Sequence, residues 1–281
     1  MFALVRLAAE LAEQLVAIEL GGDDAVHQAR SRVRRLRSVL GVYHRAFDRA
    51  AATELRTRLR GLGQQLGEAR DLEVREAELQ NLVPTGSAPE VVDVVNALAL
   101  DARREYDAAE RALLGRLRGR ANRVLLADLQ VFAADPPLRK RALKHPDELI
   151  AKALERARQR VEVLSEGIDG AESTLEQRHE LRKAARRLRF AAETVTEPDG
   201  SASGDIGGLA ADAEAVQHAL GRNRDLVLLV AHLRGRFGAV GLSPSATAGV
   251  ARLADQRESD AARTLDPLTS HLERLRSARL P

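Results

Sequence analysis

Two segments of the 281-residue sequence carry the same residue types at the same spacing. His27, Arg30, Arg34 and Arg37 make one set, and His179, Arg182, Arg186 and Arg189 repeat its intervals. Wound into an α-helix at about 100° per residue, each set falls within an arc of roughly 80°. Guanidinium groups crowded on one arc repel one another. Acids are nearly absent from both motifs, so acidic neighbours or a bound anion must compensate. A planar guanidinium donates two parallel hydrogen bonds to a phosphate or carboxylate, and histidine adds a donor that becomes cationic near neutral pH. The chemistry these residues suit is the grip of a multivalent, phosphate-rich anion.

The neighbouring residues say where such helices sit. Ala29, Val33, Leu36 and Leu40 lie directly beside the first arc, and Leu181, Ala185, Leu188 and Ala192 beside the second. A solvent-facing helix puts its charges opposite its apolar stripe. A basic face bordering the buried face fits a helix lining a groove. Arg35 and Arg187 fall near 80°, off the arc, and read as structural or peripheral. Lys183 joins the second set where the first has Ser31, so the two halves need not grip equally. His44 continues the first arc near 260°, although its counterpart is Thr196.

A second recurring segment follows each stripe. Leu66-Gly67-Glu68-Ala69-Arg70-Asp71-Leu72 matches Leu220-Gly221-Arg222-Asn223-Arg224-Asp225-Leu226. In one reading the acid ties its arginine to a neighbouring helix. In the other, Arg70 and Arg224 face the site while Asp71 and Asp225 orient nearby arginines. The stripes are offset by 152 residues, these segments by 154, and Pro89 and Pro244 by 155. Three landmarks in one order argue for duplication of a unit of about four helices. The halves run over 1–135 and 136–281. Two antiparallel bundles would then pack about a pseudo-two-fold axis.

The elements that position these residues are all helical. Leu4, Leu7, Leu11, Leu15 and Ile18 advance by threes and fours, and no segment alternates as a strand would. Breakers cluster at Gly21-Gly22, Pro84 to Pro89 and Asp135-Pro136-Pro137, with loops expected over 197–208 and 235–249. Asp23 or Asp24 can cap a helix entering at Ala25, Ser243-Pro244 opens another, and His145-Pro146 opens one running to about Glu166. The pattern predicts eight substantial helices plus an extension near 120–134.

Composition narrows the function. Net charge is only +3, but residues 23–49 carry +4 and residues 178–190 carry +5, so the rest of the chain is acidic. There is no cysteine and hence no thiolate metal site or disulfide. The apolar run Phe2–Leu20 is broken by Arg6, Glu10, Glu13 and Glu19, unlike a signal peptide or membrane span. A cytoplasmic, non-membrane protein is the expectation. With five Phe, two Tyr and no Trp, the chain is poorly equipped to stack single-stranded bases. The stripes offer only Gln28, outside the arc, for reading a major groove, so sequence-specific nucleic-acid recognition is not expected. No nucleophile–base set, metal-ligand spacing or phosphate-cradling glycine loop is present, so neither an enzyme nor a cofactor is expected.

These paired His-x-x-Arg-x-x-x-Arg-Arg-Leu-Arg motifs and the Leu-Gly-x-x-Arg-Asp-Leu segments resemble the CHAD family, named for a conserved-histidine α-helical domain, over essentially the whole chain. The resemblance implies one domain over 1–281, built of two four-helix bundles around a basic central channel. It also implies binding of inorganic polyphosphate and association with polyphosphate granules. On that footing the expected ligands are His27, Arg30, Arg34, Arg37, His179, Arg182, Lys183, Arg186 and Arg189, joined by Arg70 and Arg224. The alternative is a helical scaffold whose stripes meet acidic proteins or nucleic acid. Histidine in contact with the anion would strengthen binding below about pH 6.5.

Overall fold

Leu4, Leu7, Leu11, Leu15 and Ile18 are all buried along α1 (Phe2–Glu19) in the computed structural model, which describes residues 2–166, 168, 173–195, 204–236 and 243–278. After a turn at Gly21, where φ is +73°, α2 (Ala25–Val42) presents its first stripe. Asp24 precedes it at φ 56° in the left-handed region, which short polar residues tolerate. Contrary to the expected cap, its carboxylate makes no capping bond and instead accepts from Gln28 Nε2 at 2.9 Å. The helix stops at Val42, so His44 lies beyond it and does not extend the arc.

Asp48 caps α3 (Arg49–Gln80) through Ala51 N at 3.0 Å, and this helix runs unbroken through Gly61, Gly63 and Gly67. Then come α4 (Pro89–Leu117), α5 (Arg120–Ala134), the short α6 (Lys140–Lys144) and α7 (Pro146–Ser165). The second half continues with α8 (Leu175–Val195), α9 (Gly204–Arg236), α10 (Pro244–Arg263) and α11 (Leu268–Ser277). No strand occurs among the described residues. Among those same residues no helix is long and apolar enough to cross a membrane.

Two expected loops are shorter than composition suggests. Residues 197–203 and 237–242 lie outside the described residues, but 204–208, 235–236 and 244–249 are helical. The reason is packing. Leu209, Ala213, Val216 and Leu220 are buried at helical steps, with Ile206 packed against the same core, and that face overrides the low helix propensity of Gly204, Gly207 and Gly208. Ala246, Gly249 and Val250 do the same after Ser243, whose hydroxyl caps α10 through Ala246 N at 3.2 Å.

Both halves use the same order of neighbours. α1 packs on α2, α2 on α3, α3 on α4 and α1 on α5, while α7 packs on α8, α8 on α9, α9 on α10 and α7 on α11. Each half thus carries a fifth helix beside the four expected, α5 being the segment anticipated as an extension. The halves meet where α2 packs on α8 and α4 on α10. At the first contact the buried Tyr43 hydroxyl donates to Ala191 O at 2.9 Å. At the second, Gly249 lies so close to Val91 that a Cβ would collide with it. The linker after Pro137 is pinned to the α2–α3 turn by Asp48 N to Pro137 O at 2.7 Å and Arg139 N to Ala46 O at 2.8 Å. A main core spans both halves, and a smaller one joins the outer ends of α3, α4, α9 and α10.

Candidate functional site

Between the two contacts of the halves, α3 and α9 face each other across a cavity of about 370 Å³. Its wall is drawn from both copies: His27, Arg30 and Arg34 of α2, Arg70 and Asp71 of α3, Arg182 of α8, and Arg224 and Asp225 of α9. A second cavity of about 240 Å³ shares His27, Arg30 and Arg34 and adds Arg186, Arg189, Glu214, Gln217 and His218. The α2 stripe therefore borders both spaces.

The recurring Leu-Gly-x-x-Arg-Asp-Leu segments now acquire a physical role. Gly67 leaves a bed on α3 for Arg30, whose Nη2 would be 3.6 Å from a Cβ placed there. Gly221 does the same on α9 for Arg182, with Nε and Nη2 at 3.1 Å from such a Cβ. Four residues beyond Gly67, Asp71 accepts from Arg30 Nη1 at 2.8 Å. Asp225 attracts Arg182 from the corresponding place. Thus the glycine clears space for an arginine of the stripe and the aspartate orients it. Arg70 and Arg224 both line the cavity. Arg70 pairs with Glu73 at 2.9 Å, whereas among the described residues the acidic contacts of Arg224 are long, 3.7 Å to Asp225 and 4.0 Å to Asp71.

Positive charge is under strain here. Burial, followed by the guanidinium groups of Arg30, Arg186 and Arg182, pushes Arg34 down to about 8 against the weaker pull of Asp71. Burial and then Arg182, Arg187, Arg37 and Arg30 push Arg186 down to about 9. Arginine surrenders its proton more reluctantly than any other side chain. Such depression therefore marks charge held against desolvation and repulsion, which a bound anion relieves. The Nε atoms of Arg182 and Arg186 are buried without a hydrogen-bond partner among the described residues, so each retains a donor to offer.

Burial, and then Arg70, hold His27 below its ordinary value of 6.5. The imidazole is accordingly neutral at pH 7 in the free protein, and an anion beside it would raise its affinity for a proton. Binding of such an anion should strengthen as pH falls from 7 to 5, saturating below the free histidine's value. Titration of wild type and a His27→Gln variant checks this: the variant should lose part of the pH dependence, and a flat wild-type profile from pH 5 to 8 rules out contact.

The other expected residues are distributed differently. His179 is exposed and lines neither cavity, and Lys183 is paired with Glu180 of its own helix. Arg189 is held by Glu193 at 2.6 Å and Glu214 at 2.8 Å. Arg37 lies outside both cavities, beside Gly63, with Arg60, Arg56 and Arg187 as its charged neighbours. Arg187, read from its wheel angle as peripheral, thus belongs to a cationic group. Sequence reasoning also missed Arg75 and Glu78 on the wall of the larger cavity. Their only signal is position on α3, about two and three turns beyond Gly67. Among the described residues no group of three or more His, Cys, Asp or Glu is placed to hold a metal.

Known proteins share this architecture. A family model described as CHAD domain matches residues 5–234. The uncharacterized protein MT2285 of Mycobacterium tuberculosis is 30% identical over 236 residues, covering 81% of this chain and 44% of the relative. The uncharacterized protein Rv2226 of another strain of that species gives the same figures, so the chain spans less than half the length of these curated relatives. Among solved structures, PptA from Streptomyces chartreusis superposes with a TM-score of 0.76 at 16% identity, covering 96% of each chain. The CHAD domain from the plant Ricinus communis gives 0.70 at 22% identity, covering 99% of this chain and 90% of that one.

Proposed function

The chain belongs to the CHAD domain family, and on that premise we propose that its central cavity binds inorganic polyphosphate without catalysing a reaction on it. One observation carries the reading: Arg30, Arg34, Arg182 and Arg224, contributed by both halves, converge on one cavity whose carboxylates do not match them in number. A linear polyphosphate offers charge at every link and no base to stack, so it asks for cations and not for aromatic side chains. Charge-assisted hydrogen bonds contribute about 1.5–3 kcal/mol each, and a few suffice for tight binding to a multivalent chain. In a cell that stores polyphosphate, the same contacts would bring the protein to the granules.

Calorimetric titration with long-chain polyphosphate tests the proposal. Wild type should bind, and an Arg30→Glu/Arg34→Glu/Arg182→Glu/Arg186→Glu variant with intact helicity should bind about a thousandfold more weakly or worse. Removing each charge-assisted hydrogen bond to the anion costs about 1.5–3 kcal/mol, and the variant removes several. Competition at equal phosphate concentration decides against the scaffold alternative. Duplex DNA presents a stiff rod about 20 Å across, its two grooves and strands too broad for a recess of this size, and should compete poorly. Preference for DNA would overturn the reading.

A further inference from the structure

The two ends of the basic stripe system are not equivalent, although the sequence motifs that build them are. At one end, Glu193 bonds Arg189 at 2.6 Å and Arg35 at 3.0 Å, and Glu214 bonds Arg189 at 2.8 Å. Two arginines meet two carboxylates there, so neither Arg189 nor Arg35 is left without a compensating acid. The offsets that relate the motifs place Gly41 opposite Glu193 and Arg60 opposite Glu214. Both acids are therefore missing at the other end, and one is replaced by a cation.

The consequence is visible in the side chains. Gly41 leaves room for Arg56, whose guanidinium carbon would be 3.5 Å from a Cβ there, and Gly63 leaves room for Arg37, with Nη1 at 3.8 Å. Arg60 and Arg187 stand exposed beside them. None of these four arginines has an ion pair among the described residues. Burial, and then Arg60, Arg56 and Arg187, lower the proton affinity of Arg37, while burial and then Arg187 lower that of Arg56. Arg186 connects the patch to the cavity, since it senses Arg182 and Arg30 on one side and Arg187 and Arg37 on the other.

Resting on the polyphosphate reading, we infer that a chain longer than the cavity leaves it in one direction only, over a second anion subsite formed by Arg37, Arg56, Arg60 and Arg187. The compensated arginines at the other end, Arg189 and Arg35, offer such a chain no comparable attraction. The two halves are then a duplicated cradle with a single charged exit, and preference for long chains is a property of the first half's α3. Arg56 and Arg60, one helical turn apart on that helix, reach the exit without lining either cavity.

An Arg56→Glu/Arg60→Glu variant of the full chain tests this with two probes, tripolyphosphate and long-chain inorganic polyphosphate. Long-chain affinity should fall by about tenfold or more, since two favourable phosphate contacts become repulsive. Tripolyphosphate affinity should change by no more than about twofold, because the cavity is untouched. An Arg56→Gln/Arg60→Gln variant should show the same pattern at smaller amplitude and guards against misfolding from the reversed charges. Unchanged long-chain affinity, or an equal loss for both probes, overturns the directional exit while leaving the cavity reading standing. Failure of the wild type to bind either probe removes both.

Discussion

Replacing Arg34 with methionine raises the thermal midpoint of the free protein and weakens polyphosphate binding at the same time. Arg34 is a largely buried guanidinium facing Arg30, Arg182 and Arg186, with Asp71 the nearest opposing charge. A base whose proton affinity falls on folding destabilises the fold at every pH below its folded value. That cost fades only as pH climbs above the folded value towards the ordinary arginine range. With the folded value at about 8, the protein at pH 7 carries the whole cost. Methionine keeps an unbranched, apolar stem at the same place while removing the charge. Replacing buried charge with apolar volume is often neutral or stabilising by about 1–4 kcal/mol, which corresponds to several degrees in a protein of this size. The same change deletes a charge-assisted hydrogen bond to the anion and should cost about tenfold to a hundredfold in affinity. Thermal melts with and without polyphosphate read both effects, since a ligand selective for the folded state stabilises by an amount that grows with the logarithm of its concentration over its dissociation constant. A midpoint that drops in the free variant would show Arg34 to be a structural residue.

The angular placement of the stripes was available from the sequence because a helix fixes side-chain direction about its own axis. Ala29, Val33, Leu36 and Leu40 are buried, as are Leu181, Ala185, Leu188 and Ala192, so the apolar border lay where the wheel put it. The wheel says nothing about how one helix crosses another, and the departures all come from that. Arg37 and Arg34 share an arc, yet only Arg34 reaches a cavity, because the crossing of α2 with α8 divides the stripe. His179 and His27 are equivalent in sequence, but His27 borders both cavities and His179 neither. Arg56 and Arg60 have no motif to mark them. Only folding brings α3 alongside the end of α2, and only the missing acids at Gly41 and Arg60 reveal the asymmetry afterwards. Conversely, Gly67 and Gly221 stood out as repeats without a reason, and the arginines lying across them supply it.

Raising salt from about 50 to 200 mM lowers long-chain polyphosphate affinity roughly a hundredfold, by analogy with flexible single-stranded polyanions. The charges around the site set the size of this effect. Arg30, Arg34, Arg70, Arg182 and Arg224 surround the larger cavity, and Arg186 adjoins it through the smaller one. Asp71 and Asp225 offset part of that set, leaving about four or five phosphate contacts that displace condensed counterions. A slope of about −0.7 per contact for a flexible chain then gives a logarithmic slope near −3, and a fourfold rise in salt multiplies out to the stated loss. Single substitutions resolve which charges take part. Arg182→Gln should flatten the slope by about 0.7, the share of one contact, because its buried Nε has no protein partner among the described residues. Lys183→Gln should leave it unchanged, since that ammonium is already paired with Glu180 outside both cavities. Isothermal titrations over a salt series measure both. A wild-type slope shallower than about −1, the signature of a single contact, or equal effects from the two substitutions, would mean that the anion is held by surface charge at large and not by the arginines converging from the two halves.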